Sequence, residues 1–138
     1  MTASPNEAYT VIAVEADSDV VRIRQVVRDV AVAARLSLVD QTKLVTAASE
    51  LARNTLVYGG GGKTSVRLVD RHGVVGVEVI FTDDGPGIEN LDLALTDGWT
   101  SGNGLGLGLT GARRLVDEFE LDTAPGSGTT VRIVKWGR

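Results

Sequence analysis

The chain contains no cysteine, which excludes a disulfide framework and every thiolate-ligated metal site. His72 is the only histidine, so the usual zinc ligand sets cannot be assembled either. Basic residues are neither abundant nor clustered: 14 Lys and Arg stand against 18 Asp and Glu, for a net charge of −4. A nucleic-acid partner, which needs grouped cations to neutralise phosphates, is therefore not expected. No apolar run approaches the ~20 residues that span a bilayer. Residues 1–6 also lack the basic-then-apolar pattern of a signal peptide, so no membrane role and a cytoplasmic location are expected. With 138 residues, 43% of them hydrophobic, the chain is long enough for one domain spanning 1–138 with a real core.

Glycine is what the chain has in quantity. From Gly98 to Gly111, six of fourteen residues are glycine, and such density is entropically unfavourable to order. It persists where backbone must lie against a ligand or move over it. The first expectation is a loop that covers phosphate.

Taken in order, Tyr9–Glu15 is rich in β-formers and predicts a strand. Asp17, Ser18 and Asp19 offer N-cap oxygens to a helix whose apolar stripe is Val20, Ile23, Val27, Val30 and Ala34. Arg22, Arg24, Arg28 and Asp29 fall away from that stripe as a solvated face, or a face for an acidic partner. A second helix runs from the Ser37–Asp40 break to about Tyr58, packing through Leu44, Ala47, Ala48, Leu51 and Thr55. On it Glu50 and Asn54 are one turn apart and project from nearly the same side. By spacing alone they are an ordinary exposed pair, or a carboxylate and carboxamide able to share a metal or metal-bound water.

Gly59–Thr64 imitates a Walker A loop but has Val57 where the first glycine belongs, and it follows a helix instead of a strand. It reads as a helix C-cap and connector. Thr64–Asp70 and Val74–Thr82 predict a hairpin turning at Arg71-His72-Gly73, with period-two alternation in the second strand. The hairpin ends in Asp83-Asp84-Gly85-Pro86-Gly87-Ile88. A carboxylate leaving a strand can accept from an exocyclic amine, and glycines two apart let a flat heterocycle lie against the backbone. Beyond the glycine stretch a helix is expected to carry Ala112, Leu115, Val116 and Phe119, followed by strands near Glu120–Thr123 and Thr129–Trp136. Gly106–Gly111 also satisfies Gly-x-Gly-x-x-Gly, yet a polar loop precedes it where a dinucleotide fold places a strand.

Four boxes in this order carry a family resemblance: Glu50-x-x-x-Asn54 on a helix, Asp83-x-Gly85-x-Gly87 after a strand, Gly104-x-Gly106-Leu107-Gly108-Leu109 before a helix, and Gly128-Thr129 before the last strand. From about Gln41 onward the chain resembles the GHKL ATPases. The whole chain is similar to the small anti-sigma regulatory kinases, and most to the RsbT-type switch kinases of the bacterial stressosome. Ser49-Glu50-Leu51-Ala52-Arg53-Asn54, Arg113-Arg114-Leu115-Val116-Asp117-Glu118-Phe119 and Lys135-Trp136 match their wording.

The resemblance implies an α+β Bergerat fold: a two-layer sandwich with a mixed, mostly antiparallel sheet and helices on one face. It implies ATP and Mg²⁺, with Asn54 as metal ligand, Asp83 reading the adenine amine, and Gly85 and Gly87 admitting the ring. Gly104, Gly106, Leu107, Gly108 and Leu109 would present a lid to the phosphates, and Thr129 would support Asp83. Glu50 would be the catalytic base. An alternative lid register, Gly102–Leu107, is nearly as good. Trp99–Thr110 carries no basic residue where related kinases often have one, and Arg53, Arg113 and Arg114 are the candidates to replace it. Implied partners are STAS-domain antagonist and scaffold proteins as substrates and a PP2C-type phosphatase as the activated target. The alternatives are an RsbW-like anti-sigma factor, a nucleotide-dependent binding module, and, more remotely, a free-standing histidine-kinase domain.

Overall fold

The computed structural model describes residues 8–88 and 105–137, the first four of the latter segment by backbone alone. Its elements are β1 (Thr10–Val14), α1 (Asp17–Ala33), α2 (Leu38–Val57), β2 (Gly62–Arg71), β3 (Val74–Asp83), α3 (Leu105–Leu115), β4 (Glu118–Thr123) and β5 (Thr129–Trp136). The strands form one five-stranded sheet ordered β1-β2-β3-β5-β4. Every pairing among the described residues is antiparallel, so the parallel component of a mixed sheet is not seen there.

Both long helices follow from their apolar spacing. Val20, Ile23, Val27 and Ala31 of α1 and Leu44, Ala47, Ala48, Leu51 and Thr55 of α2 are buried. They share a core with Ile12, Val66, Val79, Phe81 and Ile133 from one sheet face. Burying side chains such as Phe81 or Leu44 contributes about 1.5–3 kcal/mol each, which fixes the helices over the sheet. The N-cap of α1 differs from expectation. Ala16 holds that position, and Asp19, inside the first turn, accepts from the Glu15 and Ala16 N–H groups at 2.9 and 3.0 Å. In α2 Ser37 is the N-cap and its hydroxyl accepts from Asp40 N–H.

The β2–β3 turn is the two-residue type whose central residues both need positive φ, and His72 (54°) and Gly73 (85°) supply it. The helix expected to run through Phe119 stops at Leu115. Phe119 lies in β4 opposite Ile133, because Phe119 and Leu121 alternate toward the core while Glu118, Glu120 and Asp122 take the other face. A spacing of three and four residues and a period of two coincide over so short a stretch, and sheet pairing decides between them.

The sheet face away from the helices is polar, as expected for an antiparallel sheet covered on one side. Glu78, 3% exposed, accepts from Arg67 Nε at 2.7 Å, from Arg132 Nε at 2.5 Å and from the Tyr9 hydroxyl. Burial alone would raise its pKa, but the bonds from Tyr9, Arg132 and Arg67 outweigh it and hold the carboxyl below the ordinary glutamate range. A depressed carboxyl pKa stabilises the fold above the unfolded pKa, and that contribution is lost as pH falls through the folded one. Glu78→Ala is expected to lower unfolding free energy by about 2 kcal/mol, less than the loss of a fully buried pair because both arginines keep contact with water. Urea unfolding at pH 7 checks this, and the difference from the parent should shrink in acid.

Candidate functional site

The helix α2, the end of β3 and the β4–β5 hairpin converge on Asp83. Asp83 is the last residue of β3, paired with Gly62 on one side and Thr129 on the other. Its Oδ1 accepts from Gly85 N–H at 2.9 Å. Burial raises the Asp83 pKa against the opposing pull of the Gly85 and Thr129 N–H groups, and neighbouring Asp84 raises it further. Thr129 thus supports Asp83 through its backbone, while its hydroxyl lies 2.9 Å from Thr123 Oγ1.

The Asp83–Ile88 loop is joined to the β4–β5 hairpin. Ile88 N–H donates to Thr123 Oγ1 at 3.0 Å, and Gly126 N–H donates to Pro86 O at 2.7 Å. At Gly87 φ is +75°, and a Cβ there would lie 2.0 Å from Ala124 O. Glycine is required at that position by conformation and by space together. Thr123 was not among the expected site residues, because only the cross-strand register brings it opposite Thr129.

The C-terminal turns of α2 reach the same place. Tyr58 and Gly59 N–H groups both donate to Asn54 O, and Gly61 N–H donates to Thr55 O, closing the helix as the C-cap and connector expected of this segment. A Cβ on Gly59 would lie 2.4 Å from Asp83 Cγ, and one on Gly85 would lie 2.7 Å from the Gly59 Cα. Gly59 therefore belongs to the site, which its reading as a plain connector missed. One turn before it, Asn54 is half-buried and its Nδ2 is buried with no hydrogen-bond partner. A buried amide N–H₂ without a partner is unfavourable by about 1–3 kcal/mol, so this position calls for an acceptor such as a water or a phosphate oxygen.

Glu50, one turn further back on α2, is exposed. Gln41, which accepts from Arg28, lies on the flank of α2 toward α1. Glu50 and Asn54 lie one turn apart on α2, which packs against both α1 and α3.

The glycine box meets the structure in part. Gly104 and the loop before it, Gly102 included, lie outside the described residues. α3 begins at Leu105, inside the glycine box expected to precede it, so Gly106, Leu107, Gly108 and Leu109 lie within its first turns. Leu109 is 1% exposed and anchors α3 in the core. The unpaired N–H groups of such a helix start are suited to phosphate. Among the described residues no three His, Cys, Asp or Glu side chains group as metal ligands. A Mg²⁺ ion taking phosphate and water oxygens needs only one or two protein ligands, and a carboxamide oxygen such as that of Asn54 is of the right hard type.

The family model described as histidine kinase-, DNA gyrase B- and HSP90-like ATPase matches residues 39–136. The chain belongs to this family. As a GHKL ATPase it has its helices on one face of an antiparallel sheet, and the connector after α2 meets Asp83 at the end of β3 through Gly59. It is 42% identical over 120 residues to the serine/threonine-protein kinase RsbT of Bacillus subtilis (strain 168), across 87% of this chain and 90% of that relative. It is 32% identical over 116 residues to the anti-sigma F factor of Clostridium beijerinckii, across 77% and 81%. The anti-sigma F factor of Thermoanaerobacter sp. (strain X514) is 31% identical over 97 residues, 66% of each chain. No helix among the described residues is long and apolar enough to cross a membrane.

Proposed function

We propose that this chain, acting as one domain in the cytoplasm, is an ATP-dependent protein serine/threonine kinase of a partner-switching pathway. Its substrates are STAS-domain antagonist and scaffold proteins, and after their phosphorylation it activates a PP2C-type phosphatase that leads to release of a sigma factor. The observation that carries this reading is the buried, unpartnered amide of Asn54 on α2, one turn from the Gly59 backbone that abuts Asp83 and one turn from exposed Glu50. The similarity to the kinase RsbT over most of both chains supports it.

In this arrangement the Asp83 carboxylate accepts from the adenine amine, and Gly85 and Gly87 leave room for the ring. Asn54 would supply an oxygen to Mg²⁺, whose charge would offset that of the phosphates. The N–H groups around Gly106 and Gly108 face the phosphates, together with Gly104 before them. Glu50 accepts the proton of a serine or threonine hydroxyl as its oxygen bonds to the γ-phosphorus. The bond to the β-phosphate bridging oxygen breaks, and its electron pair leaves with ADP. An exposed base suits a macromolecular acceptor, which must bring its own hydroxyl to the cleft.

Incubation with γ-labelled ATP, Mg²⁺ and purified STAS-domain proteins tests the reading. Label on serine or threonine of a STAS protein is expected. No label with intact ADP binding would leave a nucleotide-dependent binding module. Capture of a sigma factor and of no phosphatase would place the chain with the anti-sigma factors.

A further inference from the structure

Two buried side-chain polar atoms among the described residues have no hydrogen-bond partner, Asn54 Nδ2 and Thr64 Oγ1. Asn54 has been accounted for above. Thr64 is 0% exposed, in β2 on the sheet face that packs under the helices. Its cross-strand neighbours there are Ile12 and Phe81, neither of which can bond a hydroxyl. Thr55, over the same part of the sheet, satisfies its own hydroxyl by donating to Leu51 O at 3.0 Å. A valine at position 64 would fill the same volume with no unmade bond, so the hydroxyl needs another explanation.

Its place supplies one. Gly62, two residues earlier on the same face, is paired with Asp83, so Thr64 is the diagonal neighbour of Asp83 across β2 and β3. Such diagonals have Cα atoms roughly 7–8 Å apart and side-chain atoms closer, so oxygens that reach toward each other come within the span of one water molecule. No side chain stands at Gly62, where a Cβ would lie 2.0 Å from Thr82 O and 3.0 Å from Thr55 Cγ2.

We propose that Thr64 is a positioning residue of the nucleotide site: its hydroxyl holds a water shared with the Asp83 carboxylate, orienting that carboxylate against the amine-bearing edge of the base. This rests on the reading of Asp83 as the adenine contact. The inference gives opposite signs to two measurements on one variant. In the empty protein Thr64→Val removes an unpaired buried hydroxyl and raises the melting temperature. In the complex the water loses an anchor, and ADP affinity falls by about tenfold, the scale of one lost hydrogen bond in a buried network.

Calorimetric titration with ADP and thermal melting of the nucleotide-free protein, on the parent, Thr64→Ser and Thr64→Val, make the test. Support is a valine variant that melts higher and binds ADP about tenfold more weakly, with serine within about threefold of the parent. Parent-like ADP affinity in the valine variant overturns the proposal, since the hydroxyl is then only a packing defect. Equal losses in serine and valine overturn it as well, because shape and not the hydroxyl is then what matters. Absence of ADP binding by the parent overturns the adenine reading itself, a result distinct from either of these.

Discussion

Glu50→Ala is expected to slow phosphoryl transfer to a STAS substrate by about a thousandfold while leaving ADP affinity within about threefold, because a positioned base contributes ~10²–10⁴ to rate. The split follows from where Glu50 sits. It is exposed, and it makes no hydrogen bond or ion pair within the described residues. Removing it therefore leaves the core, the Asp83 loop and Asn54 as they are. An exposed helical Glu→Ala change shifts stability by at most about 0.5 kcal/mol, so lost activity cannot be traced to unfolding. Glu50→Gln, which keeps length and polarity but accepts no proton, should lose nearly as much. Single-turnover transfer at saturating ATP, alongside ADP titration, checks both variants. A transfer rate within threefold of the parent would remove Glu50 as the base, and one of the phosphates or the acceptor protein would then have to take the proton.

Asn54→Ala acts on the other half of that helical pair and separates the two roles. It removes the amide whose buried end is unpartnered, so the nucleotide-free protein has little to lose. Nucleotide affinity in the presence of Mg²⁺ is what the change should reduce. Glu50 and Asn54, four residues apart on one helix, are thus distinguished by which measurement moves.

How much of this was legible in the sequence depended on how local the determinant was. The α1 and α2 stripes and the His72-Gly73 turn are set by residues within a turn or two of each other, and they lie close to where spacing placed them. Asp83, the last residue of β3, and Thr129, the first of β5, are set opposite each other by the pairing of those two strands. Features made by strand order were not legible. Glu78 was seen only as an alternating polar position in β3. Its bonds to Arg67 and Arg132 need β2 and β5 to flank β3. The Thr123–Thr129 pair and the contact of Gly59 with Asp83 have the same origin. Phe119 shows the converse, a local period that suited a helix until pairing with β5 overrode it. The site was readable as residue types and hidden as contacts.

Asp83→Asn is expected to weaken ATP binding more than a hundredfold and yet leave the nucleotide-free protein no less stable at neutral pH. Burial holds the Asp83 pKa above the ordinary aspartate range. For an acid with a raised folded-state pKa the native state binds the extra proton, so stability falls as pH rises through the titration. At neutral pH the ionised, partly desolvated carboxylate is thus a cost to the empty fold. Asparagine removes the charge and keeps an oxygen for the Gly85 N–H bond. Any stabilisation seen at pH 7 should disappear in acid, where the parent Asp83 is protonated too. The same titration weakens ATP binding by the parent as pH falls, beginning above the usual aspartate range, because a protonated carboxyl is a poorer acceptor for the adenine amine. In the asparagine variant an amide N–H₂ faces that amine, donor against donor, and a buried polar mismatch of this kind is what makes rejection large. Inosine triphosphate carries a carbonyl where adenine has its amine, so the variant's preference for ATP over inosine triphosphate should shrink or reverse. Equilibrium titrations with both nucleotides across pH, beside urea unfolding of the empty protein, measure all of this. An ATP affinity unchanged from the parent would mean that the base is read elsewhere and that the half-buried carboxylate at the end of β3 serves the fold alone.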